Sequence, residues 1–214
     1  RPTWLSLITL AYNCELLGKA EGPVPTSTGV ALMAVRAYGS VTGGIDTLIV
    51  PGGARPAVTR ARKDSALISA VARLAPMARR LASVCTGTFI LAEAGLLAGE
   101  KVVTHWGACA RLAAEVPELN VDPEPIFIRC GRVYSTAGKT AGIDLALALI
   151  EEDLGREWAL AVARYMVVHL KRPGGQAQFS IPLQAQIMDG GGVNGLPAWI
   201  AENLCEDLSV IALA

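Results

Sequence analysis

The chain is short of aromatic side chains and of charge, and it has no surplus of either sign. Aromatics make up 5% and charged residues 18% of 214 positions, and 19 Lys plus Arg balance 19 Asp plus Glu. A nucleic-acid-binding domain normally carries a basic excess, so any specific DNA contact is expected from residues outside this sequence. No apolar run approaches the roughly 20 residues needed to span a bilayer, and the first residues lack a signal-peptide pattern; the chain reads as cytoplasmic, with no membrane partner. Cysteine is present but not organised. Cys14, Cys85, Cys109, Cys130 and Cys205 are odd in number and widely spaced without a CxxC pair, which argues against a disulfide framework and against zinc. His105 and Cys109 stand close in sequence, but no second ligand pair accompanies them, so no metal and no cofactor are expected.

What the chain has in abundance is Ala, Leu and Val. At 52% hydrophobic and 214 residues it can bury a large core, and this composition suits helices packed over a sheet, one large α/β domain with a small appendage. Residues 4–11 and 31–38 read as strands, with Pro23, Pro25 and Gly29 punctuating the turn region between them. Residues 46–50 read as a short apolar strand running into Pro51-Gly52-Gly53. A glycine pair behind a parallel strand lets backbone N–H groups approach an anion or oxyanion, although an ordinary βα turn has the same composition.

Further along, 65–75 reads as a helix stopped by Pro76, 101–104 as a strand, and 108–115 as a helix stopped by Pro117. Segments 126–128 and 133–135 flank Cys130-Gly131-Arg132 as a hairpin. Residues 138–154 read as an apolar helix with Asp144 in its first turn, where a carboxylate suits the helix dipole, and with Glu151, Glu152 and Asp153 in a solvated cap region. Gly155 breaks it. Residues 156–171 resume as an amphipathic helix with Trp158, Tyr165 and Met166 on its apolar face, and His169 as a packing or surface residue. Strands alternating with helices give a doubly wound, mostly parallel sheet, whose ligands bind beyond the strand carboxyl ends.

The chemistry concentrates in LASVCTGTFILAEAGLLAGEKVVTHW, residues 81–106. An apolar run stops at Cys85, and Thr86, Gly87 and Thr88 open a helical stretch, the pattern of a strand-to-helix elbow. At a helix N-terminus the orphan N–H groups favour thiolate over thiol, so Cys85 could act as a nucleophile or a redox-sensitive group; an inert core thiol is the competing reading. His105 closes the next apolar run, which would bring imidazole and thiol together above one sheet edge. Beyond Lys171 the composition changes to Pro173-Gly174-Gly175, scattered Gln and Gly190-Gly191-Gly192, a linker over 172–196. Residues 197–204 read as a new helix, and Asp207-Leu208-Ser209 as the start of another.

SVCTGTFILAEAGLLAGEKVVTHW, together with STAGKTAGIDLALALIEEDLGREWALAVARYMVVHLKRPGGQAQFS, closely resembles the GlxA-type regulators, a branch of the AraC family with a ThiJ/PfpI sensor domain. The resemblance covers nearly the whole chain. It implies a flavodoxin-like, class I glutamine amidotransferase-like α/β fold over 1–171, a linker over 172–196, and over 197–214 the truncated beginning of an all-α helix-turn-helix domain. By resemblance Cys85 is the elbow nucleophile position, His105 its imidazole neighbour, and Gly52, Gly53, Cys85, Thr86, Gly87 and His105 the ligand-binding set, with the backbone at Gly53 and Thr86 as an oxyanion hole. The family's first strand and helix, with an Asp-x-x-Gly-Pro segment near an acidic partner for the cysteine, are absent from this sequence, and Glu15 does not replace it.

Three functions follow as expectations. The resemblance implies a sensor that binds a small metabolite, amino-acid- or amine-like by family analogy, at Cys85 and His105 and biases a homodimer that presents two DNA-binding domains. The alternative is an isonitrile hydratase-like enzyme in which Cys85 attacks an electrophilic carbon and His105 handles the proton; any catalytic role of this pair could equally be vestigial. The third is oxidation of an exposed, low-pKa Cys85.

Overall fold

The computed structural model describes residues 11–26, 29–169, 171–175, 177–178, 199–200, 203–205 and 208–209. Most of the expected strand 4–11, the bulk of the linker and most of the helix-turn-helix opening lie outside them. Of the first, Ala11 is described and is helical rather than extended. The chain divides into two compact units, Arg1–Gln176 and Ala177–Ala214.

In the first unit, strands β1 (Leu17–Gly18) and β4 (Arg36–Ala37) pair in parallel, and β2 (Gly22–Pro25) and β3 (Ala31–Ala34) form an antiparallel hairpin. Two expectations change here. Strand 31–38 is interrupted at Val35, and Pro23 and Pro25 lie in β2 itself, tolerated because that strand pairs with a single neighbour. The central sheet has the order β5-β6-β10-β9, from β5 (Ile45–Val50), β6 (Ala78–Val84), β9 (Phe127–Cys130) and β10 (Val133–Thr136). β6 runs parallel to both β5 and β10, and the β9–β10 hairpin is antiparallel. A short parallel pair, β7 (Lys101–Val102) with β8 (Asn120–Val121), completes the described strands.

Successive residues of a strand face opposite sides, so burial of both parities reports layers on both faces. Leu81 and Ala82 are each fully buried. Leu81 joins one core with Val71, Phe89, Leu91 and Leu112, whereas Ala82 joins another with Tyr134, Leu145 and Leu149. The first core thus draws on α2 (Ser65–Leu74), α3 (Thr88–Glu93) and α4 (Trp106–Glu115), and the second on α5 (Thr140–Leu154). The doubly wound α/β reading is borne out. Helix α1 (Arg55–Lys63) was not anticipated because its basic sequence buries little beyond Val58; Pro56 in its first turn was the available signal. No described helix is long and apolar enough to cross a membrane.

Two helix-end expectations are corrected. Helix α6 (Arg156–Tyr165) ends well before residue 171, because Val167 takes a positive φ of 55° and reverses the chain. Asp144 lies past the first turn of α5 and is buried against Arg172, which donates from its backbone N–H and Nε at 3.0 Å and from Nη2 at 2.6 Å. Arg172 to Gly175 therefore stay stitched to the sheet domain, where Gly174 O also accepts from the Ile126 and Phe127 amides.

The acidic end of α5 is an ion-pair network rather than a solvated cap. Arg80, 3% exposed, donates to Asp153 at 2.6 Å and to Asp46 at 3.0 Å, and Arg79 and Tyr12 also reach Asp153. Glu152 accepts from Tyr134 and Arg129, and Glu151 pairs with Lys171. Hydrogen bonds from Arg79 and Thr47 hold Asp46 far below the usual carboxylate range. Burial alone would raise Asp153, but hydrogen bonds from Arg80, Arg79 and Tyr12 outweigh it and leave the group lowered. Carboxylates depressed in the folded state stabilise it above their unfolded pKa of about 4, and that contribution is lost as pH falls through the folded value. Urea midpoints should accordingly be flat from pH 7 to 5 and fall steeply below about pH 4; a midpoint unchanged down to pH 3 would remove this network from the stability of the domain.

Candidate functional site

β6 delivers Cys85 directly from the centre of the sheet. Cys85 has a positive φ of 57°, a conformation that an L-residue with a β-carbon adopts only when its surroundings impose it. The restraints are visible. The Cys85 carbonyl accepts from Thr104 Oγ1 at 2.7 Å and Thr88 Oγ1 at 3.2 Å, and Thr88 is linked onward to Ser83 Oγ and Val103 O. A short 3-10 turn, Cys85–Gly87, then leads into α3, so the strand-to-helix elbow read from the sequence is present. The thiol is half-buried and has no hydrogen-bond partner among the described residues.

The glycines around it are there for close approach. A β-carbon on Gly87 would lie 2.2 Å from Val50 O, and one on Gly52 would lie 2.6 Å from both the Thr86 nitrogen and Thr86 Oγ1. Gly53 donates its N–H to Thr86 Oγ1 at 3.0 Å, and that hydroxyl donates back to Gly53 O at 2.9 Å. The glycine turn is thereby laced to the elbow, and the Gly53 amide expected for an oxyanion is engaged by the Thr86 side chain. Two residues without an assigned role in the sequence complete the rim. Gly138, with φ 102°, lies so close that a β-carbon there would be 2.3 Å from Cys85 Cβ and 3.0 Å from its Sγ. Lys139 follows it, also at positive φ. Their signal was the glycine just ahead of an apolar helix, in STAGKT.

His105 is not the end of a strand, since β7 stops at Val102; it is the N-cap of α4. The Thr104 hydroxyl on the Cys85 carbonyl holds this segment against the elbow. His105 Nδ1 accepts the Gly107 N–H at 3.2 Å, and no hydrogen bond joins the imidazole to the Cys85 thiol among the described residues. Burial and then the nearby Lys139 charge lower the imidazole pKa, so the ring is neutral at pH 7. A neutral ring that accepts at Nδ1 carries its proton on Nε2, which is then the donor nitrogen. Cys109 packs beneath; its thiol donates to the Thr104 and His105 carbonyls, and burial pushes its pKa up. Glu15 pairs with Arg36 at 2.9 Å and takes no part.

This arrangement of elbow cysteine, neighbouring histidine and parallel sheet coincides with a match of residues 3–152 to the sequence profile of the DJ-1/PfpI family. The chain belongs to the DJ-1/PfpI family. It is 36% identical over 149 residues to an isonitrile hydratase of Pseudomonas putida, covering 69% of this chain and 62% of the hydratase. It is 35% identical over 164 residues to the HTH-type transcriptional regulator CdhR of Pseudomonas aeruginosa, covering 76% of this chain and 47% of CdhR. The HTH-type regulator GlxA of Rhizobium meliloti is 28% identical over 152 residues, 71% of this chain and 46% of GlxA. A solved ThiJ/PfpI family protein of Pseudomonas syringae superimposes with a TM-score of 0.66 at 25% identity, over 88% of this chain and 74% of that one. Relatives of this DJ-1/PfpI domain thus include both helix-turn-helix regulators and a hydratase, and the chain spans about half to three-fifths of the curated relatives named here.

Proposed function

We propose that this DJ-1/PfpI chain is the ligand-sensing, dimerising part of an AraC-type transcriptional regulator. In this reading residues 1–171 form the sensor, 172–196 a linker whose first residues, Arg172 to Gly175, are held against it, and 197–214 the start of a helix-turn-helix domain that contacts DNA. A small effector binds among Gly52, Gly53, Cys85, Thr86, Gly87 and His105, and homodimerisation aligns two DNA-binding domains with paired half-sites. The observation that carries sensing over catalysis is the His105 hydrogen bond: with Nδ1 accepting the Gly107 N–H at the cap of α4, the proton lies on Nε2 and the imidazole is set to donate to a ligand, with no hydrogen bond to the Cys85 thiol among the described residues. The regulators among its relatives support the same reading.

The test separates binding from folding. Asparagine is as good an N-cap as any residue, so His105→Asn should leave stability within about 0.5 kcal/mol while removing the Nε2 donor. Against a panel of amines and amino acids, one compound is expected to raise the melting temperature of the chain, and His105→Asn should weaken its binding at least tenfold. A full-length regulator whose promoter affinity ignores every compound in the panel would refute the proposal. The second reading, a Cys85-dependent hydratase, is favoured by the strained, half-buried thiol and the hydratase relative. Isonitrile turnover abolished by Cys85→Ala would establish it; equal rates in wild type and variant would end it.

A further inference from the structure

Where α6 ends, the chain doubles back. The Val167 and Val168 amides return to the Arg164 and Ala163 carbonyls, and residues 167–169 and 171–173 share an open cleft of about 850 Å³ with α6. Among the described residues its walls carry Arg156, Arg164, His169, Lys171 and Arg172, and no carboxylate. Two of these cations are neutralised from beneath: Lys171 pairs with Glu151, and Arg172 is gripped by buried Asp144 and also donates to Thr140 Oγ1 at 3.1 Å. Arg172 is therefore a fixed wall, with Nη1 unpartnered among the described residues.

Arg156 and Arg164 have no ion-pair partner among the described residues. With Leu160 they fall at i, i+4 and i+8 of one ten-residue helix, on a single face. Their α-carbons are about 12 Å apart along the axis, with an apolar side chain midway. Ala163, Val167 and Pro173 extend the apolar part of the lining. An anion that reaches both guanidinium groups gains charge-assisted hydrogen bonds from each.

We propose that this cleft is a second ligand site, for a small organic dianion with an apolar body, such as a linear dicarboxylate of about eight carbons whose ends meet the two guanidinium groups. Leu160 receives the methylene chain, and Arg172 contributes a pre-oriented edge without the ordering cost that a free arginine would bring. The site is independent of the Cys85 reading, because no residue of the elbow lines it.

Calorimetric titration of the 214-residue chain with suberate tests this. Suberate is expected to bind at one site at least tenfold more tightly than octanoate or inorganic phosphate. Arg156→Gln and Arg164→Gln should each weaken it at least tenfold, with unchanged melting temperatures since both positions are exposed. Arg164→Lys keeps the charge but not the planar fork and should recover part of the affinity. Equal affinity for octanoate and suberate would overturn the proposal. So would suberate binding that survives Arg164→Gln but is lost in His105→Asn, which assigns the dianion to the elbow. Displacement of suberate by an equimolar 20-base-pair duplex would overturn it too, in favour of a phosphate-backbone surface.

Discussion

Gly87→Ala is expected to lower the melting temperature by roughly 6–12 °C, the effect of about 3 kcal/mol of overpacking in a domain of this size. The added methyl would lie 2.2 Å from Val50 O and 3.0 Å from the Pro51 carbonyl carbon and oxygen. Those atoms are backbone, so no side chain can swing aside. The end of β5 must separate from the elbow, and the paired hydrogen bonds between Gly53 and Thr86 stretch with it. Gly87 itself has an ordinary φ of −59°, so the penalty is steric and not conformational. Gly39→Ala is the control: nothing lies within 4 Å of a β-carbon there, and a change within about 0.5 kcal/mol is expected. Equal melting temperatures for the two variants would show that the glycine turn and the elbow are not packed together. Because the displaced turn borders Cys85, Gly87→Ala should also weaken any effector bound at the elbow.

Arg80→Met should cost about 3 kcal/mol at pH 7, the lower end of what breaking a buried ion pair costs. Arg80 is nearly inaccessible, and its removal takes two hydrogen bonds from Asp153, whose side chain is 18% exposed, leaving it the exposed Arg79 and the Tyr12 hydroxyl, and takes the 3.6 Å ion-pair partner of Glu152. Asp46 contributes less, since it is largely exposed and keeps Arg79 at 2.8 Å. The sign with pH distinguishes a lost ion pair from lost packing. Without Arg80 the Asp153 and Asp46 carboxylates keep Arg79 but are less depressed, so less stability is lost in the variant than in wild type as the pH falls below 4, and the difference in urea unfolding should shrink toward pH 3. A difference that stays constant between pH 7 and 3 would mean that the arginine acts through its aliphatic stem alone.

The course of the main chain was legible where a local rule applied. Cys85 at the end of an apolar strand followed by small residues marked the elbow, Gly155 marked the break between α5 and α6, and Cys130-Gly131-Arg132 marked the hairpin. Errors arose where a distant residue decided the outcome. Asp144 resembled a helix-dipole partner until Arg172, 28 residues on, took its carboxylate. Glu152 and Asp153 looked solvated because their partners Arg80, Arg129 and Tyr134 lie on strands far away in sequence. Helix α6 stopped early because Val167 reverses the chain, which periodicity alone does not register.

The candidate site divides the same way. Identity and spacing brought Cys85, His105 and the glycine pair to notice, since each follows an apolar strand and sheet topology gathers such ends. Their working states were settled in three dimensions. The positive φ of Cys85, the tautomer of His105 fixed by the Gly107 amide, the engagement of the Gly53 N–H by Thr86, and the approach of Gly138 to the thiol all depend on atoms separated along the chain. The sequence by itself determined the family, the doubly wound sheet and the residues at its carboxyl edge, because those follow from local pattern and chain order. Which groups donate, which accept and which carry unbalanced charge was decided by the tertiary structure, because hydrogen bonds and ion pairs act over a few ångströms and only folding brings their partners that close.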